Sequence, residues 1–170
     1  MVKTFTAYSD GRFEISGRTT RCALGKNGVL PAKDKREGDN ASPLGIWPLR
    51  SLFYRPDRIS APKTPFPRKA LSPQDGWCDA VDDENYNRLV RHPYPNSAEK
   101  LWRDDGVYDL IWVLGHNDDP VVAGMGSAIF LHLARPDFSG TEGCIALSLK
   151  DLLDLTHLAE PGDVLEIREA

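Results

Sequence analysis

The sequence predicts a mainly β fold, a barrel or sandwich with one or two short helices and long loops. Three observations carry that reading. Short apolar segments flanked by Gly or Asp recur along the chain, an Asp10-Gly11 pair separates two strand-like stretches, and the best helix start, with a leucine stripe after it, comes close to the end.

Taken in order, residues 3–7 and 12–15 flank Ser9-Asp10-Gly11, and a D-G pair between two such segments signals a hairpin. Residues 18–24 read as a third strand that ends at Gly25. Charged residues, Gly and Pro then take over from Lys33 to Pro48, which predicts a loop. Between Tyr54 and Gly76 five prolines (Pro56, Pro62, Pro65, Pro67, Pro73) alternate with Phe66 and Leu71, as in an ordered surface excursion. A short helix is expected over residues 81–90, starting at Asp82 or Asp83, with Tyr86, Leu89 and Val90 on its apolar side and Pro93 and Pro95 closing it. Residues 110–114 and 127–132 have the look of central strands buried on both faces. Ser148-Leu149-Lys150-Asp151 has the S-x-x-D form of a helix start, with Leu149, Leu152, Leu153 and Leu158 as a stripe and Pro161-Gly162 as the stop. Residues 164–167 form a closing strand, and no repeat interrupts the chain.

With 170 residues, of which 41% are hydrophobic, residues 1–170 are expected to form a single domain around one core. The formal net charge is -4 and basic residues are scattered, which argues against a nucleic-acid partner. The longest apolar runs, such as residues 110–114 and 128–131, are too short to cross a bilayer, so no membrane insertion is expected. Met1-Val2-Lys3-Thr4-Phe5-Thr6 lacks the basic and apolar segments of a secretory signal, so the protein is made without one or has lost it. Cys22, Cys78 and Cys144 are far apart and form no C-x-x-C pair, so neither a metal site nor a cofactor is expected.

The stretch richest in chemistry runs from His132 to Leu147. A histidine ending a buried strand and a cysteine after a glycine are the parts of thiolate catalysis, since an imidazole within reach can take the thiol proton. Gly143 permits a tight turn and leaves room for a carbonyl to approach, with nearby backbone amides to stabilise an oxyanion. A buried cysteine is more often part of a core, and chemistry alone leaves both readings of Cys144 open.

His132 followed by Thr141-Glu142-Gly143-Cys144-Ile145-Ala146-Leu147 resembles the signature of the YkuD-type L,D-transpeptidases, in a divergent branch ending Gly-Cys-Ile-Ala-Leu. Upstream, Arg21-Cys22-Ala23-Leu24-Gly25, the Glu37-Gly38-Asp39 loop with Ser42-Pro43-Leu44-Gly45, Gly76-Trp77-Cys78-Asp79, Tyr86-Asn87, Tyr108-Asp109-Leu110 and Gly115-His116-Asn117 are similar to that branch too. The likeness extends from about Gly17 to the C-terminus. It departs from the commoner pattern in having Glu142 for a His before Gly-Cys, Ala146 for an Arg after it, and a shorter gap behind His132.

The resemblance implies a YkuD-like β fold, with Cys144 as nucleophile, His132 as base and Gly143 beside them. It also implies peptidoglycan stem peptides as partners and a periplasmic or envelope location. The reaction would be acyl transfer through a thioester, giving 3-3 or 1-3 cross-links according to the acceptor. An L,D-carboxypeptidase or other trimming hydrolase, and a wall-binding module with a decayed site, are the alternatives. Candidate substrate contacts are Arg135, whose guanidinium can hold a carboxylate, Glu142, which can orient an ammonium, and Thr141, His116, Tyr108 and Trp77 as cleft lining. Cys22 and Cys78 are read as buried or paired.

Overall fold

The computed structural model describes residues 1–170 and is mainly β, as the sequence predicts. In chain order the strands are β1 (Thr4–Tyr8), β2 (Arg12–Ile15), β3 (Arg18–Arg21), β4 (Val29–Pro31), β5 (Ser42–Tyr54), β6 (Arg68–Ala70), β7 (Asp75–Cys78), β8 (Leu89–Arg91), β9 (Ala98–Lys100), β10 (Leu110–Leu114), β11 (Phe130–Leu133), β12 (Ile145–Leu147) and, after helix α1 (Leu149–Leu158), β13 (Val164–Arg168). The main sheet runs β12-β11-β10-β5-β13-β1-β2-β3, with β4 and β6 also paired to β5. A small sheet, β8-β7-β9, stands apart.

The edges of the main sheet meet. Beyond β3 the chain continues to Ala23, which forms an antiparallel bridge with Ala146 of β12 through two N–H···O bonds of 2.9 Å each. Thr141 N–H then donates to Leu24 and Lys26 N–H to Thr141. This seam bends the sheet into a nearly closed barrel and shortens its free edges. Gly25 lies in the seam, where a Cβ would sit 2.6 Å from the Asn40 carbonyl oxygen, so only glycine fits.

Three expectations are corrected. The loop expected over residues 33–48 gives way at Ser42 to the longest strand, β5, which pairs with β13 along its first half and β10 along its second. Pro48 lacks an N–H, yet its carbonyl accepts from Gly115, and such pairing on both flanks overrides the local Pro and Gly signal. No helix forms over residues 81–90. Asp83 accepts hydrogen bonds from Asn85 N–H, Tyr94 Oη and Asn96 Nδ2, holding a turn, and Asn87 at φ +58° returns the chain to β7. The strand expected over 127–132 begins only at Phe130, because Gly126 and Ala128 both take positive φ.

Apolar residues on the inner faces, among them Phe5, Phe13, Leu52, Leu110, Leu131 and Leu165, form the main core. Helix α1 closes one end. Ser148 caps it by accepting from Asp151 N–H, and its inward face is Leu152, Leu155 and Thr156, whereas Leu149 and Leu158 of the expected stripe are exposed. Fully buried Trp112 donates Nε1–H to Thr156 Oγ1 at 2.9 Å, tying α1 to β10. No helix is long and apolar enough to cross a membrane. The valine variant of Thr156 leaves the indole N–H buried and unpartnered. T156V is therefore expected to lower unfolding free energy in urea by about 1–3 kcal/mol, and T156S by less.

Candidate active site

His132 and Cys144, twelve positions apart in sequence, become neighbours through one parallel pairing. Leu131 registers with Ile145 and His132 with Ala146. Cys144 lies two residues before Ala146, and side chains two apart share a face of a strand, so the register turns Cys144 and His132 to the same side. Both line one cleft of about 430 Å³.

Two contacts fix the thiol. Cys144 Sγ donates to the Ala128 carbonyl at 3.1 Å and accepts from Phe130 N–H at 3.4 Å. Ala128 holds a left-handed φ of +53°, unusual for a residue with a side chain, and its N–H is anchored on Asn87 Oδ1. Asn87 is fully used, since Oδ1 also accepts from Trp77 Nε1 while Nδ2 donates to the carbonyls of His116 and Asn117. Glu37 holds the preceding residues, accepting from Ser127 Oγ and Tyr86 Oη, and Gly126 N–H donates to that same Tyr86 oxygen.

Thr141 shapes the turn into Cys144. Its hydroxyl donates to the Cys144 carbonyl at 2.6 Å and accepts from Gly143 N–H at 3.1 Å, while Gly143 O accepts from Ser42 Oγ. Gly143 has φ +136°, and a Cβ there would come within 2.9 Å of the Ala41 carbonyl oxygen. The glycine is thus required by its backbone conformation and by the close passage of residue 41.

Nδ1 of His132 lies 2.9 Å from the Leu133 carbonyl. That partner has no proton to give, so Nδ1 carries the hydrogen and Nε2 keeps the basic lone pair. Tyr108 meets the His132 ring edge-on at 5.2 Å, and its hydroxyl donates to Glu99 Oε1.

Burial pulls His132 down to about 4, assisted by the charges of Arg103 and Arg135. Cys144 is pushed up to about 12 by burial and by the negative charge of Glu99. The resting pair is consequently neutral thiol and neutral imidazole.

Charges divide around the cleft. Glu37, Asp79, Glu99 and Glu142 supply carboxylates, and Lys26, Arg103 and Arg135 supply cations. Among the residues singled out from the sequence, Cys144, His132, Thr141, Glu142, Arg135 and Tyr108 line this space. His116 and Trp77 do not. His116 is buried against the Trp47 ring, with Lys35 adding to the burial that lowers it to about 4, and Trp77 packs on Phe130 behind the cleft. Glu99, Arg103, Lys26 and Ser127 were not foreseen as site residues; Glu99 in particular lies in an unremarked Ala-Glu-Lys stretch. All three cysteines are free and buried, which for Cys22 and Cys78 excludes pairing.

No curated protein matches the sequence. A family model described as YkuD: L,D-transpeptidase catalytic domain matches residues 3–167, nearly the whole chain. With that match across the barrel and the cleft alike, the chain belongs to the YkuD family of L,D-transpeptidase catalytic domains.

Proposed function

We propose that the protein, as one catalytic domain over residues 1–170, is a peptidoglycan L,D-transpeptidase of the periplasm or cell envelope, with Cys144 as nucleophile and His132 as base. The reading rests on one observation above all: the parallel register of β11 and β12 sets thiol and imidazole on the same face, at the wall of one charged cleft. Family membership supplies the reaction class.

A donor stem enters with its third, diamino-acid residue over Cys144. Such a residue carries both an ammonium and a carboxylate, and the cleft offers Glu142 and Asp79 for the first and Arg135 for the second. As Sγ attacks the carbonyl, its proton passes to His132 Nε2, and the C–S bond forms. The oxyanion has the Cys144 backbone N–H as donor, a group that makes no hydrogen bond within the protein. His132 then returns the proton to the departing amine of the terminal D-amino acid, leaving a thioester. An acceptor amine resolves it, and the choice of acceptor decides between 3-3 and 1-3 cross-links. Water in its place gives L,D-carboxypeptidase activity.

Intact-mass spectrometry with a stem tetrapeptide, or with a carbapenem, is expected to show one acyl adduct on the parent and none on C144A. An adduct on C144A would rule out Cys144. Because the thiol is neutral at rest, its alkylation by iodoacetamide, followed on the Cys144 peptide, should be slow at pH 7 and climb about tenfold per pH unit through pH 9. A plateau near neutral pH would instead indicate a preformed thiolate and imidazolium.

A further inference from the structure

One carboxylate in the cleft has no part in the steps above. Glu99 stands on β9, opposite Trp77 in register, half-buried, and lines the same cleft as Cys144 and His132. Tyr108 Oη donates to its Oε1 at 2.5 Å, and the same tyrosine packs its ring against His132. Arg103, the nearby cation, is taken up by Asp105 through Nε at 3.0 Å and Nη2 at 2.5 Å. Glu99 is thus oriented by a phenol, has no ion-pair partner, and faces the space in which an acyl group on Cys144 would lie.

Aminolysis of a thioester needs something that His132 alone does not provide. An alkyl amine reaches the site at neutral pH as an ammonium, without a lone pair, and it must lose one proton before attack and a second during it. We propose that Glu99 is the general base that takes the first of these protons from the acceptor, an inference that rests on Cys144 being the acylated residue.

The steps balance. Glu99 accepts a proton from the ammonium, and the freed nitrogen attacks the thioester carbonyl. His132 Nε2 takes the second N–H proton as the C–N bond forms. The C–S bond breaks, the leaving thiolate recovers that proton from His132, and Glu99 releases its own to solvent. Burial pushes Glu99 up to about 7, against the pull of the Tyr108 hydroxyl. That is a favourable value for moving protons at neutral pH. Attack by water needs only the His132 step, so Glu99 favours transfer over hydrolysis.

The test separates the two half-reactions. Parent, E99Q and E99D are acylated with stem tetrapeptide under mass-spectrometric observation, then chased with a diamino acid or with hydroxylamine, which is already neutral at pH 7. Expected for E99Q are acylation no slower than the parent's, since the charge that raises the thiol is gone, unchanged release by hydroxylamine, and diamino-acid aminolysis slower by about 10²-fold. Its products shift toward hydrolysis, and E99D, which keeps a carboxylate, recovers part of the loss. Acylation reduced as much as aminolysis would make Glu99 a donor-binding or structural residue and overturn the inference. Aminolysis at the parent's rate, or hydroxylamine release slowed equally, would do the same. A parent that is never acylated brings down the Cys144 assignment, and this inference with it.

Discussion

Closure of the sheet through Ala23 and Ala146 is the constraint on which the cleft depends. The seam holds Thr141 to Leu24 and Lys26, and Thr141 in turn holds the backbone of Gly143 and Cys144. Opposite the seam, β11 carries His132 in register with β12. Cys144 is therefore set from both sides by backbone pairing, the most rigid support a fold offers, and its side chain needs only the Ala128 carbonyl and Phe130 N–H to complete its placement.

Burial decides how that pair works. With the thiol near 12, forming a free thiolate at pH 7 would cost roughly 7 kcal/mol, so ionisation ahead of substrate is an unfavourable route. In the proposed reaction, transfer of the proton to Nε2 as the carbon–sulfur bond forms avoids that separated charge. The Leu133 carbonyl assists by fixing the tautomer. A neutral resting thiol also reacts slowly with oxidants.

Much of this was legible in the residues. Asp10-Gly11 marked the first hairpin, Ser148 and Asp151 marked the start of α1, and the apolar run at 110–114 marked a central strand, because each signal is local. Residues 42–48 were misread since their strand character comes from pairing with β4 and β13, which no short window contains. Asp82-Asp83 looked like a helix start, but the Asp83 side chain found three partners in a turn instead. At the cleft, His132 and Cys144 stood out through a motif. Glu99 and Arg103 did not, because they come to the cleft through the long-range packing of Trp77 and Leu101, in and just after the small sheet, against Ile111, Phe130 and Cys144.

Parallel strands cannot be joined by a tight turn, and the register of β11 with β12 obliges residues 134–144 to travel back along the barrel. Its outer stretch, Arg135 to Gly140, is largely exposed, while its last residues are clamped to the seam. Geometry that reacts and surface that selects are thereby written into one short segment yet mechanically uncoupled. Exchanges at Asp137 or Ser139, outside the cleft lining, can therefore alter the exposed stretch while Thr141 to Cys144 stays held at the seam.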